Sequence, residues 1–312
     1  MKRIEVPAIE IVREITEHYF GKRVELERVT KGSSTYVFRI FTDHQTFYLR
    51  ILPEQAASFD AEVKVLRLLR SKGINVPNVI YYEQRNHLIG LSIMVTEELL
   101  GSDLDRPDLE IDHDNLAQIL YHAGEQIALV NQIELKGFGE IDRAVNATLT
   151  GEHESMRCYY EEFLEHDLSI LHHYGLQDHS INVVRTALEE GFEFINEQRA
   201  YLAHGDFDTS HIFQHHGAYS GIIDFGDIKA VSARYDLGHF RTHDFLGGYE
   251  ALLSGYNNVR KLSERDKAEI TLWALFIAVR RLGMIHGRPK GFYHAHLSQS
   301  IKTTITEWQR LR

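Results

Sequence analysis

Alternating apolar and polar positions mark two short runs near the start of the chain. STYVFRIF (34–41) and TFYLRIL (46–52) are rich in β-branched and aromatic residues and are separated by TDHQ, so they predict a hairpin. Alternation puts Phe47, Leu49 and Ile51 on one face of the second strand and Tyr48, Arg50 and Leu52 on the other. An amphipathic helix precedes the hairpin, and a second helix is expected from about Ala56 to Ser71, with Phe59, Leu66 and Leu69 on one apolar stripe. Glu62 falls on that stripe. Either it pairs with a cation on the facing sheet, for which Arg50 is the obvious candidate, or it lies at the stripe's edge in water.

INVPNVIYYE and LIGLSIMVTEE supply further strands, and Gly101 in LLGSDL breaks the pattern. Beyond it the period becomes helical. NLAQILYHAGEQIALVNQI spaces Leu116, Ile119, Leu120, Ala123, Ile127 and Val130 for one face, and YYEEFLEHDLSILHHYG and INVVRTALEEGFEFINEQ read as two more helical stretches. HIFQ and SGIIDFG flank HHGAY and predict a short hairpin among the helices, with Asp206 and Asp224 at its ends and able to point to one place. The expectation is an α+β chain of two lobes: residues 1–98 as a small antiparallel sheet with one helix, and residues 99–312 as a larger, mainly helical lobe.

Composition narrows the function classes. At 312 residues the chain is long for one core and comfortable for two. A net charge of −11 disfavours nucleic acid as a partner and favours cationic small molecules. Cys158 is the single cysteine, so no internal disulfide can form and a reducing, cytoplasmic location is expected. Glu5 and Glu10 interrupt any secretory signal, and LWALFIAV (272–279) is far shorter than the roughly 20 residues of a spanning helix, so no membrane association is expected. With no long apolar surface to explain, a monomer is the default.

The chemistry concentrates in YLAHGDFDTSHIF (201–213) and GIIDFGD (221–227). Two aspartates at the mouth of a hairpin suit phosphoryl transfer. Its crowded anionic transition state needs a cation held by carboxylates, a cationic side chain on the phosphates, and a carboxylate to orient or deprotonate the attacking hydroxyl. Mg²⁺ prefers oxygen ligands, which fits Asp224.

These motifs resemble, in order and over nearly the whole chain, the aminoglycoside phosphotransferase and choline kinase family, small-molecule kinases with the bilobal protein-kinase-like fold. HGDFDTSH is similar to the family's catalytic loop, GIIDFGD to its metal-binding motif, and RYDLGHF to a later element whose aspartate, here Asp236, braces the loop. The resemblance implies Asp206 as catalytic base, Asp224 as main metal ligand, Arg50 as the phosphate-binding cation and Glu62 as its partner. It also implies Gly32, Ser33 and Ser34 as the loop over the phosphates and a hinge against the nucleotide base around Thr96 to Leu99, including Glu97. ATP or GTP is the implied donor, with Mg²⁺ or Mn²⁺.

His211 stands where many members have asparagine. Imidazole suits Mn²⁺ or Zn²⁺ better than Mg²⁺. The other machinery is present, and the macrolide kinases of the same family resemble this chain in carrying histidine there, so a working site is expected. His204 is read as a loop-bracing residue, and His215 and His216 as turn residues. Glu161, Glu162, Glu165 and Asp167 read as one acidic helix face, which favours a cationic antibiotic such as an aminoglycoside as acceptor. A macrolide would instead need an apolar pocket, for which Tyr159, Tyr160, Phe163, Phe245 and Tyr249 are available. The remaining alternatives are a choline, sugar or amino-alcohol kinase and a nucleotide-binding pseudokinase.

Overall fold

A computed structural model describes residues 3–30, 32, 34–144, 148–195 and 198–311. It divides into two compact units: Met1–Gly101 with Asp142–Leu149 and Ser220–Phe225, and Ser102–Ile141 with Thr150–Tyr219 and Gly226–Arg312.

In the first unit α1 (Ile9–Phe20) leads into β1 (Glu25–Val29), β2 (Tyr36–Phe41) and β3 (Thr46–Ile51), then α2 (Asp60–Ser71), β4 (Val79–Glu83) and β5 (Ile93–Glu97). The strands form an antiparallel sheet in the order β1-β2-β3-β5-β4. Alternation along β3 does what the sequence requires. Leu49 and Ile51 join Phe38 and Ile40 of β2, with Val12 and Ile15 of α1, in a buried core, while Arg50 points to the opposite face, where α2 lies. That helix starts later than Ala56, because Ser58 bonds elsewhere: its Oγ accepts from Asp60 N (3.1 Å) and its own N–H donates to Arg143 O (2.7 Å).

The second unit holds β6 (Ser102–Asp103), α3 (His113–Val130), β7 (Glu134–Leu135), β8 (Phe138–Ile141), β9 (Gly151–His153), α4 (Met156–Glu161), α5 (Leu164–Ser169), α6 (Asp178–Ile195), β10 (Ala200–Ala203) and β11 (Ile212–His215). After β12 (Ala218–Ile222), which runs into the first unit, come β13 (Lys229–Val231), α7 (Tyr235–Thr242), α8 (Tyr249–Val259), α9 (Glu264–Ile285) and α10 (Phe292–Leu311). An antiparallel sheet in the order β7-β10-β13-β8-β9 supports the loop that follows β10.

The LWALFIAV run is the interior of α9, where Leu272, Trp273, Leu275 and Val279 are buried in the main core. Ser263 and Asp266 start this helix as a reciprocal capping box. No helix among the described residues is long and apolar enough to cross a membrane. The stretch expected as one helix at YYEEFLEHDLSILHHYG is broken into α4, α5 and a 3₁₀ turn, Leu171–Tyr174, which Gly175 ends in the left-handed region (φ 80°).

The acidic face expected on that stretch is not one surface. Asp167 is buried and paired with Arg280, Glu165 with Arg185, and Glu161 with Arg157.

Candidate functional site

In the first unit the structure brings Arg50, Glu62 and Asp224 together. Arg50 donates through Nη1 to Glu62 and through Nη2 to Asp224 (2.8 Å), with the Phe59 ring 5.3 Å from its guanidinium carbon. The first reading of Glu62 therefore holds: it is 6% exposed and paired. Burial opposes the charge on Arg50, but the Glu62 and Asp224 carboxylates outweigh it and raise its pKa. Burial also pushes the Glu62 carboxyl up, against the pull of Arg50. A guanidinium does not give up its proton, so we take the pair as ionised.

Asp224 sits at φ 62°, a left-handed backbone that a non-glycine residue adopts at some cost. Glu97 ends β5, its N–H donating to Asn78 O (2.9 Å). Gly32 (φ 97°) and Ser34 are exposed, and Ser33 lies outside the described residues.

In the second unit Asp236 organises the HGDFDTSH loop. Its Oδ2 accepts from His204 N (2.9 Å) and Asn131 Nδ2 (2.8 Å), and its Oδ1 from Gly205 N (3.0 Å), all in the interior. It lies in the first turn of α7 and serves the loop. Gly205 has φ 85°, and a Cβ there would stand 1.9 Å from Asp227 O, so the position admits no side chain. The His204 ring accepts from Asp206 N at 3.3 Å. His211 donates through Nδ1 to Asp206 O (2.7 Å), which makes Nε2 its lone-pair nitrogen. His216 (φ 53°) and Gly217 (φ 77°) form the turn between β11 and β12.

The Asp206 carboxylate has partners the sequence did not suggest. Arg281 of α9 donates through Nη2 to Oδ1 of Asp206, and the same Nη2 lies 2.9 Å from Nε2 of the buried His239. His239 donates through Nδ1 to Phe207 O (3.0 Å). His239 Nε2 also lies 3.3 Å from Oδ1 of Asp206, so the imidazole and the guanidinium of Arg281 share that oxygen. Burial would raise the Asp206 carboxyl, but His239, Arg281 and His211 outweigh it and hold it well below the ordinary carboxylate range.

Asp206, Asp208 and His239 offer ligand atoms within 4.8 Å of one another. Arg281 already donates to Asp206 Oδ1 and meets His239 Nε2 there. Beside the loop lies a cavity of about 400 Å³, a size suited to a small molecule, with Gly205, Asp227, Tyr235, Phe163, Arg280 and Arg281 among its walls.

The sequence matches the model of the phosphotransferase enzyme family over residues 25–271. The chain belongs to this family. It is a phosphotransferase of the kind that acts on hydroxyl groups.

Solved structures give the same fold. A thermostable mutant of aminoglycoside phosphotransferase APH(4)-Ia, in ternary complex with ADP and hygromycin B, is 16% identical with a TM-score of 0.71, over 95% of this chain and 98% of that one. The ADP-bound aminoglycoside phosphotransferase APH(2'')-Ib is 16% identical with a TM-score of 0.63, over 97% and 99%. A putative fructosamine-3-kinase from Thermobifida fusca YX-ER1 is 17% identical with a TM-score of 0.64, over 96% and 98%. No curated protein is significantly similar to the phosphotransferase in sequence. The architecture of this phosphotransferase is thus the α+β, protein-kinase-like one: antiparallel sheet in the N-terminal part, helices in the C-terminal part.

Arg281 was missed because it belongs to no short motif; His239 lies within RYDLGHF, where only Asp236 was read as functional. The only trace in the sequence is that the apolar run of α9 ends in two arginines, Arg280 and Arg281.

Proposed function

We propose that this phosphotransferase moves the terminal phosphate of ATP or GTP to a hydroxyl of a small, amine-bearing molecule, with aminoglycosides as one acceptor class. The observation that carries the reading is the Asp206 carboxylate, held ionised and fixed by Arg281, which also lines the cavity of small-molecule size beside the loop. Asp206 orients the acceptor hydroxyl and takes its proton as the new O–P bond forms and the bond from the γ-phosphorus to the nucleoside diphosphate breaks. With little covalent chemistry to perform, the carboxylate works chiefly by position.

In this reading Arg50, fixed by Glu62, meets the donor phosphates, Gly32 and Ser34 belong to the loop that covers them, and Glu97 lies at the nucleotide base. The nucleotide-bound neighbours support a nucleotide donor. Asp224, a partly exposed carboxylate at the side of Arg50, fits a divalent cation. Mg²⁺ or Mn²⁺ would neutralise phosphate charge there.

A metabolite acceptor is the second reading, favoured by the arginines in the cavity. Transfer of labelled phosphate from ATP and GTP to aminoglycosides, macrolides, sugar amines and amino alcohols tests the proposal. Transfer to one class supports it, and nucleotide binding without transfer to any class would turn the reading toward a pseudokinase.

A further inference from the structure

The cavity beside the HGDFDTSH loop is lined by both signs of charge: Glu140, Glu152, Glu162 and Asp227 with Lys229, Arg280 and Arg281. Its acids and bases are unevenly committed. Lys229 spans both carboxylate oxygens of Glu140, so that pair neutralises itself. Glu162 lies 3.3 Å from the His153 ring and, like Glu152, is exposed to solvent, whereas the Arg280 and Arg281 side chains are only 29% and 23% exposed.

Each arginine is anchored by only part of its guanidinium. Arg280 gives Nη1 to the buried Asp167 (3.1 Å) and stacks 4.0 Å over Phe163. Arg281 gives Nη2 to Asp206 and His239. Among the described residues, Nε and Nη2 of Arg280 and Nε and Nη1 of Arg281 meet no acceptor. Arg280 thus keeps a planar two-nitrogen edge, the geometry that takes a carboxylate or phosphate bidentately, and Arg281 adds donors beside it. Asp167 and Phe163 hold the first guanidinium, and Asp206 and His239 the second, so little side-chain entropy is left to lose when an anion binds.

We propose that the acceptor carries an anionic oxygen group, carboxylate or phosphate, received by Arg280 and Arg281, together with an amine that meets Glu152 and Glu162. The inference rests on the reading that Asp206 serves an acceptor in this cavity. It makes the substrate a zwitterionic hydroxyl compound, where a charge count over the whole chain pointed to a polycation.

Calorimetric binding of matched sugars tests this directly. Glucosamine carries hydroxyls and an amine; muramic acid adds a carboxylate to the same ring and glucosamine 6-phosphate adds a phosphate, so the two separate the possible anions. The wild-type protein is expected to bind at least one anionic sugar about tenfold more tightly than glucosamine, the scale of one charge-assisted contact. Arg281→Gln should erase most of that preference. Arg280→Lys, which leaves Asp167 a cationic partner but removes the planar edge, should reduce it.

Affinities for both anionic sugars no better than for glucosamine, or tighter binding of hygromycin B than of either, would overturn the inference. Phosphate transfer is read in parallel. An anion preference that Arg281→Gln abolishes, with no transfer to any acceptor, would uphold the anion site and count against the kinase reading alone.

Discussion

Arg281 donates to the carboxylate of Asp206 across 75 positions of the chain, and the same nitrogen meets the ring of His239. A permanent cation on one carboxylate oxygen fixes the side chain and keeps it ionised, which suits a reaction in which the carboxylate must aim more than it must pull.

The pH dependence of transfer follows from this contact. Asp206 has a folded pKa below that of an ordinary carboxyl, so it remains ionised well into acid, and the stability it contributes is present above the unfolded pKa and lost as pH falls. The acid limb of kcat/KM should therefore not report a carboxyl titrating near its usual value of about 4. In Arg281→Gln the group loses its permanent cation and the limb should move to higher pH. An acid limb identical in the two proteins would contradict the role given to Arg281.

Arg50 and Glu62 make a prediction about stability. Arg50→Met leaves a nearly inaccessible carboxylate without its cation, a change that typically costs about 3–5 kcal/mol, and the urea midpoint should fall accordingly. Replacing both residues with apolar side chains should recover part of that loss while nucleotide binding stays impaired. Unchanged stability in Arg50→Met would show that the pair is not the closed unit described.

Asp236 uses both oxygens on backbone donors of the loop. In Asp236→Asn the amide can accept through only one oxygen and turns an N–H toward a donor, leaving a buried group unsatisfied at about 1–3 kcal/mol. We expect lower stability and a lower kcat, because the loop that carries Asp206 loses its brace. A full kcat would mean that the loop keeps its shape without Asp236.

His243 gives a second pH signature. Burial, with His239 and Arg281 nearby, pushes it down to about 2, and it donates through Nδ1 to His239 O (2.9 Å) and accepts from Tyr293 (2.7 Å) as a neutral ring. The unfolded ring binds a proton below about 6.5 and the folded one does not. Its contribution to stability is thus complete above that pH and shrinks as pH falls toward the folded value. Denaturation at pH 7 and pH 5 should show a smaller loss in His243→Gln than in the wild type; an equal loss would assign the dependence to other groups.

How much of this was legible in the sequence varies by the range of the interaction. Alternation in TFYLRIL placed Leu49 and Ile51 in the core and Arg50 on the other face, because a strand's period depends only on neighbours along the chain. The partnership of Glu62 could only be framed as two options, since spacing alone does not say what faces a helix. Asp167 was counted with its exposed neighbours, yet it is buried against Arg280, more than a hundred positions away. Arg281 was invisible for the same reason: which of two arginines at the end of an apolar run turns onto a loop aspartate is a property of tertiary packing, and no local pattern encodes it. His239 stood inside RYDLGHF, but that motif does not say that its ring faces Asp206.

The most direct test of the central claim compares the wild type with Asp206→Asn for transfer of labelled γ-phosphate to the acceptor that turns over best, alongside nucleotide affinity. The account predicts that transfer is abolished while nucleotide binding remains within about twofold, since Asp206 is given no part in holding the donor. Transfer that persists in Asp206→Asn would contradict it.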